Sequence, residues 1–576
     1  MMIMDKKYHF HIRHRFLLAG FLCLFGVCLI AQVKPVHKKT KVVSEVGKAE
    51  TNRGAVGAKK DKKLEKNKTR VDLLHADEAQ ADKMLRPDVQ VLIGSVKLRH
   101  DSMYMYCDSA LIYEKTNSVE AFNNVRMEQG DTLFIYGDYL FYDGVAQLAM
   151  LRNNVKMINR KTTLTTDSLN YDRLYNLGYY FEGGTLTDEE NVLTSDWGEY
   201  SPATKLAVFN HEVKLANPRF TLTSDTLKYS TESKIARILG PSNIINEKNH
   251  IYSERGIYNT LKDQAELLDR SVLTNEGKKL VGDSLFYDRK AGYGEAFDNV
   301  VMNDTINKNM LTGDYCFYDE LKSNAWATKK AVAIDYSQGD SLFMHADTLR
   351  MNTYYLNTDS MYRELRAYHK TRIYRSDVQG VCDSLVFSSK DSCLTMYHDP
   401  ILWNEKQQLL GEEIKVYMND STIDWAHIVN QALTVEMKDS LHYNQVSGKE
   451  IKAYFQKGEM RKIDVIGNVL VIFYPQEEDS TMIGMNTSET SLLNLYLKER
   501  KMDKMVMSPK SNGTLYPMDQ IPVDKMKLPT FVWFDYIRPR NKQDIFEWRG
   551  KKTGETLRKT SRKPVTSPKR ELFKSN

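Results

Sequence analysis

Proline is scarce, at 14 in 576 residues. Proline removes a ladder donor, so a chain this poor in it leaves room for many pleated segments, and it excludes collagen-like or mucin-like stalks. Cysteine is scarcer still, at six. Two of these, Cys23 and Cys28, fall in an N-terminal apolar run. The other four (Cys107, Cys316, Cys382 and Cys393) form no CxxC pair, so zinc-ribbon and thioredoxin-like chemistry lack support. Cys382 and Cys393 are the one pair close enough in sequence for a local bridge. The 13 histidines are scattered and make no HExxH, and neither a Walker loop nor GxGxxG occurs. A hydrophobic content of 41% excludes a wholly disordered chain.

The net charge of +6 is unevenly spread. Residues 34–70 and 538–576 each hold 13 Lys/Arg against 4 Asp/Glu, and residues 1–33 carry +3, which leaves −15 for 71–537. An acidic body between two basic ends speaks against nucleic acid, because phosphates would be repelled along most of the chain. Lys6, Lys7, Arg13 and Arg15 precede the apolar run Phe16–Ala31, too short for an ordinary membrane span and typical of an export signal. Cleavage after Ala31 and retention as an anchor are both compatible with it.

Tyrosine is abundant, at 33, and it is periodic. Tyr113, Tyr142, Tyr171, Tyr200, Tyr229, Tyr258 and Tyr287 stand 29 residues apart. Tyr318, Met351, Phe387 and Tyr417 continue the series more loosely. The clear copies close an Asp-x-Leu-x-Tyr block: Asp138–Tyr142, Asp167–Tyr171, Asp225–Tyr229 and Asp283–Tyr287. About 13 residues later comes an Asn-Val-x-Met block, as in Asn124–Met127, Asn154–Met157 and Asn299–Met302. Leu with Tyr, and Val with Met, are two apart and share one strand face. Turn-formers such as Asp143-Gly144 separate the blocks. Each unit is expected to hold two or three short strands that bury their apolar face only by stacking on the next.

Other motifs have plainer readings. Gly282-Asp283-Ser284-Leu285 and Gly339–Leu342 spell the hydrolase GDSL block, and Asp424…His427 offers a DxxH. The tetrapeptide recurs as a variant of the repeat (Thr166–Leu169, Cys382–Leu385), so a catalytic Ser284 is disfavoured. The repeated aspartates could ligate calcium, but an aspartate at a strand start more often bonds nearby backbone. Ser488–Met507 reads as a degenerate β repeat rather than a helix. Pro509, Pro517, Pro522, Pro529 and Pro539 surround the aromatic run Phe531–Tyr536, which suggests a terminal cap or docking segment.

The combination of an export signal with repeated Asp-Ser-Leu-x-Tyr-Asp and Asn-Val-x-Met blocks resembles the OstA-like (organic solvent tolerance) family, relatives of the lipopolysaccharide bridge LptA and the N-terminal domain of LptD. The resemblance covers about 90–475 and is densest over Gly282–Met302. It implies an all-β fold, an elongated repeat β-jellyroll of about 29 residues per repeat, with two apposed sheets around an apolar interior that holds acyl chains. It further implies a non-enzymatic periplasmic bridge carrying lipopolysaccharide, or a related lipid, towards the outer membrane. Expected partners are other bridge proteins, joined by edge-strand pairing, and an outer-membrane assembly partner; no cofactor, metal or nucleic acid is expected.

The candidate inward face is Leu140, Tyr142, Leu169, Tyr171, Leu227, Tyr229, Leu285, Tyr287, Val300 and Met302. The organisation expected is a signal at 1–31, a basic linker at 32–87, repeats at 88–475, a degenerate repeat and cap at 476–550, and a basic tail at 551–576. The competing reading is a structural or adhesive β-solenoid whose interior is packed and free of ligand.

Overall fold

The computed structural model describes residues 70–555, apart from 82–87, 246–248, 276, 320, 338–339, 420–421, 457–458, 478–480, 499–500 and 553–554. The expected signal, most of the basic linker and nearly all of the basic tail lie outside these residues. The described part is almost wholly β-strand, and the pairings discussed below are antiparallel. It forms two units: the described part of Val27–Glu247 with Ile257–Leu261, and the described part of Lys248–Gly256 with Lys262–Asn576.

One repeat shows how the sequence makes the fold. Strands Ser118–Gln129 and Leu133–Asp143 pair as Val119↔Tyr142 and Ala121↔Leu140, then resume as Val125↔Gly137 and Met127↔Ile135 after a register break. At the break Asn123 and Asn124 have φ of 62° and 49°. Two successive left-handed residues bend the strand sharply, and asparagine is among the few residues that tolerate that region. The same paired step recurs at Asn153/Asn154, Asp298/Asn299 and Gly467/Asn468. Each long strand is thereby folded into two halves lying in two different arms, with the bends stacked into a spine.

The partner strand turns the same corner by changing phase. In Leu133–Asp143 the buried positions are Leu133, Ile135 and Gly137, then Leu140 and Tyr142, with Asp138 exposed at the switch. The two sequence blocks meet there. Asn124 Nδ2 donates to Asp108 Oδ2 at 2.8 Å, Asn154 to Asp138 at 2.6 Å, and Asn299 to Asp283 at 2.6 Å, always across 16 residues. The repeated aspartates therefore hold the neighbouring asparagine at the corner of a strand; they do not cap a strand start, as the sequence suggested.

The residue before each aspartate points into the fold at its narrowest place. A Cβ on Gly282 would lie 3.0 Å from the Leu285 side chain, and one on Gly137 3.5 Å from that of Leu151. Cys107 and Cys382 fill equivalent positions as small buried residues. All four described cysteines are free and buried, so the bridge considered for Cys382 and Cys393 is not formed.

Within each unit the arm ending in the tyrosines (the Tyr arm) faces the arm carrying Val-x-Met (the Met arm). The arms touch directly: a Cβ on Gly178 of the Tyr arm would lie 3.1 Å from Met157 Sδ of the Met arm. In the first unit the space between them is filled. Leu92, Leu98, Leu151, Leu164, Leu169, Leu193, Leu222 and Leu227 are all at most 1% exposed, and each such side chain contributes about 1.5–3 kcal/mol through burial.

Three expectations change. Asp72–His75 and Glu78–Ala81, assigned to the linker, are strands that pair with Val89–His100. Tyr113 is out of phase with the series it opens. Ile112 is the buried residue there, and the half-buried Tyr113 donates its hydroxyl to Glu120 at 3.0 Å. The Pro- and aromatic-rich part of 476–550, expected as a cap, follows the degenerate repeat but packs along strands of the second unit. Strands Gly484–Lys498 and Lys501–Ser508 continue its Tyr arm, with Leu493↔Met507, as the β reading of Ser488–Met507 required. The chain then runs back along the outside of the Met arm as a strap.

That strap has few regular elements because its prolines remove ladder donors. Phe534 and Ile537 are buried against Val381, Ile401, Trp403, Leu410, Leu433 and Val435. Buried glutamines bind its backbone from both sides. Gln408 Nε2 donates to Val532 O at 2.9 Å, while its Oε1 accepts from Phe534 N at 2.8 Å. Gln445 does the same to Met526 O and Leu528 N, both at 2.8 Å.

Candidate functional site

Nine of the ten candidate inward residues are buried: Leu140, Tyr142, Leu169, Tyr171, Leu227, Tyr229, Leu285, Val300 and Met302. Tyr287 is half-buried. In the first unit these side chains are enclosed by one another and by the opposite arm, so no open trough exists along them.

The mouth of that unit, opposite the spine, is sealed by the tyrosines. The Tyr142 hydroxyl lies 2.6 Å from His100 Nδ1, across 42 residues, and accepts from Arg173 Nη1 at 2.8 Å. Tyr171 donates to Gln129 Oε1 at 3.2 Å, also across 42. Tyr200 accepts from Asn159 Nδ2 at 3.0 Å, across 41. Tyr229 donates to Asp188 Oδ2 at 2.8 Å, again across 41. Each tyrosine ends a strand of the Tyr arm, and each partner ends a strand of the Met arm. The 29-residue period thus writes a row of clasps from lip to lip. Burial pushes the Tyr171 phenol up to about 12, and that of Tyr180, bonded to Ser195 Oγ, also to about 12. Asp188 is 1% exposed and is satisfied by the Tyr229 hydroxyl and by Lys234 Nζ at 2.6 Å.

The late part of the second unit differs. On its Tyr arm, cross-strand pairing lines up Leu385, Met396, Ile414, Ile428, Ile451, Val465 and Leu493 in one buried inward row. The next inward row towards the lip is also apolar, but Leu394, Val416, Ala426, Ile463, Leu495 and Met505 are only half-buried. On the Met arm, Leu402, Leu409 and Val446 face inward and are likewise half-buried. Gly380 fixes this orientation, since a Cβ there would meet Leu402 at 3.1 Å and Met396, across the interior, at 3.4 Å. The strap makes this possible: it covers the outward apolar residues of the same strands, leaving the inward ones as the partly exposed face. The sequence reading passed over this strip because it followed the tidier early repeats. A usable signal was present in Ile401-Leu402-Trp403 and Leu409-Leu410, where consecutive apolar residues put apolar side chains on both faces of a strand.

The tempting serine is a ladder residue. Ser284 lies within Lys278–Asp288, opposite Leu268 and Phe297, and not on a strand-to-helix turn. Its neighbour Asp283 is engaged by Arg270 at 3.1 Å and by Asn299. His427 Nε2 lies 3.1 Å from Glu450 Oε2.

Comparison with known proteins gives a class before any particular relative. Residues 68–225 match the model of the OstA-like protein family, a span that holds the clasps of Tyr142, Tyr171 and Tyr200. Among solved structures, LptH of Pseudomonas aeruginosa, described as the LptA-homologous periplasmic component of the conserved lipopolysaccharide transport device, is matched at 13% identity. The match covers 21% of this chain and 82% of LptH, with a TM-score of 0.18, too low to carry an argument about shared geometry. No curated protein matches the chain.

Proposed function

We propose that this chain is a non-enzymatic periplasmic lipid-binding protein that serves lipopolysaccharide transport towards the outer membrane. The observation that carries the reading is the inward row Leu394, Val416, Ala426, Ala453, Ile463, Leu495 and Met505, half-buried except at the buried Ala453 and running across neighbouring strands of the second unit. The OstA-like match at 68–225 supports the class. An acyl chain needs continuous apolar area and little directional bonding, with each CH₂ buried contributing about 0.8 kcal/mol. A row of this kind offers that area without first displacing packed side chains. In this reading Leu140, Tyr142, Leu169, Tyr171, Leu227 and Tyr229 meet lipid only when the clasps part, the buried Leu285, Val300 and Met302 only when their own arms part, and the half-buried Tyr287 without such opening.

The test is site-specific photocrosslinking in cells. A crosslinker at Leu495 or Ile463 is expected to capture lipopolysaccharide well above one at Lys452, whose side chain faces outward. Equal capture at the three positions would sink the proposal. One observation favours a second reading, a structural β-solenoid with a packed interior: the sealed core of the first unit. That reading predicts no lipid on protein purified from the envelope, which mass spectrometry would decide.

A further inference from the structure

On the outward side of the same Tyr arm, one position row in from the lip, six residues stand in register across neighbouring strands. The pairings run Tyr417↔Trp425, Trp425↔Tyr454, Tyr454↔Lys462, Lys462↔Tyr496 and Tyr496↔Lys504. Tyr417 and Trp425 stack with centroids 4.2 Å apart and planes 3° apart, and Trp425 stacks on Tyr454 at 6.3 Å. Lys462 Nζ lies 5.5 Å from the Tyr454 centroid and 5.9 Å from that of Tyr496, and Lys504 Nζ lies 6.0 Å from Tyr496. All four aromatics are at least partly exposed, Tyr496 by 37%.

Such a ladder has ordinary worth as cross-strand packing. Its composition and place suggest more. Tyrosine and tryptophan present an apolar body with a polar tip, suited to a boundary between grease and water. Lysines continue the row of stacked rings. On the other side of the same strands, Val416, Ala426, Ile463 and Leu495 face the interior. The lip is therefore oily within and cationic-aromatic without. Lys462 is partly neutralised, since its Nζ donates to Asp464 Oδ2 at 2.8 Å, and Asp464 also accepts from Asn494. Lys504 stands exposed beyond Tyr496.

Resting on the lipid-binding reading above, we propose that this outer ladder is the headgroup site for the same amphiphile. It holds a phosphorylated saccharide that turns over the rim while the acyl chains lie along the inward row. Lys462 and Lys504 supply the charge for phosphate, and Trp425, Tyr454 and Tyr496 supply hydrogen-bond donors and apolar edges to sugar. The occupant is the headgroup of one bound lipid molecule.

The experiment uses the full chain and two probes, intact lipopolysaccharide and its fully deacylated, still phosphorylated oligosaccharide. The deacylated probe is expected to bind with salt-dependent affinity. The Lys462→Gln/Lys504→Gln pair is expected to weaken it by about tenfold, since exposed charge pairs and charge-assisted bonds are individually modest. Tyr496→Ala, at an exposed position, serves as a second variant that leaves the fold intact, and dephosphorylated oligosaccharide should bind no better than the double variant does. If intact lipid is captured at Leu495 but the lysine pair and Tyr496→Ala leave both probes unaffected, the ladder is packing only and this proposal is wrong while the lipid reading stands. If neither probe binds and Leu495 captures nothing, both fail. Binding to anionic vesicles without binding to the deacylated probe would assign the ladder to a membrane surface and overturn the proposal.

Discussion

The two units are built from the same bent repeat and differ in what closes the space between the arms. In the first, tyrosine hydroxyls reach polar partners on the opposite lip every 29 residues, and the leucines behind them are sealed. In the late part of the second, the row next to the lip stays half-exposed, and the apolar surplus of the Met arm lies on its outside beneath a Pro-rich strap. One fold thus serves as a closed, self-satisfied body or as an open strip. The choice depends on whether position five of the Asp-x-Leu-x-Tyr block carries a hydroxyl with a partner in reach.

The largest test of this contrast is truncation in the two interiors. Leu227→Ala, at a fully buried position, should destabilise by about 3 kcal/mol because the closed core cannot relax into the cavity. Leu495→Ala, half-buried, should destabilise by about 1 kcal/mol from lost burial alone. Denaturant midpoints with unchanged slopes would measure both, and equal effects would erase the distinction between the units. Next comes Asp188→Asn, which leaves Lys234 and the Tyr229 hydroxyl without their shared carboxylate. A loss of about 2 kcal/mol is expected, since breaking a buried pair strands the remaining charge.

Alkaline titration sharpens the comparison further. Tyr171 and Tyr180 have folded values raised to about 12, against about 10 for the free phenol. A group whose folded value is raised contributes stability that is complete below its unfolded value and is lost as pH climbs towards the folded one. Thermal stability should therefore hold below pH 10 and fall between about 10 and 12. Tyr171→Phe/Tyr180→Phe should flatten that fall, and an identical profile in the double variant would count against burial of these two phenols as its source. The smallest effect is a single clasp removal: Tyr200→Phe should destabilise by about 1 kcal/mol. Its sharper signature is faster amide exchange at 197–201 and 155–159, with late strands such as Glu450–Gln456 unchanged.

Much of the fold was legible because its signals are local. Two-residue alternation in Asp-x-Leu-x-Tyr and Asn-Val-x-Met marks strands, whereas the bend inside each long strand was not legible, since the left-handed pair falls on Asn153/Asn154 but also on His211/Glu212 and Asp269/Arg270. Less legible was the joining of the two blocks at one corner, since Asn154 and Asp138 are 16 residues apart and belong to different strands. Tyr113 fitted the period and missed the face, because Met103–Tyr113 and Leu133–Asp143 repeat one burial pattern at an offset of 30 residues and not 29, which makes Ile112 the counterpart of Tyr142. The candidate face was read from the cleanest repeats, where regularity reflects a sealed core. The strip at 394–505 sits in repeats whose spacing has drifted. The strap escaped because its contacts, such as Gln408 with Phe534 across 126 residues, leave no periodic trace.

What the amino-acid order determined alone is the stacked, alternating strand, since apolar positions two apart act within one or two strands. Only the assembled structure decided which interior is closed. A tyrosine hydroxyl seals a lip when the opposite arm brings a histidine, glutamine, asparagine or aspartate about 41 residues upstream within 3 Å or so of it, and that distance is set by the packing of the two arms, not by any local run of sequence.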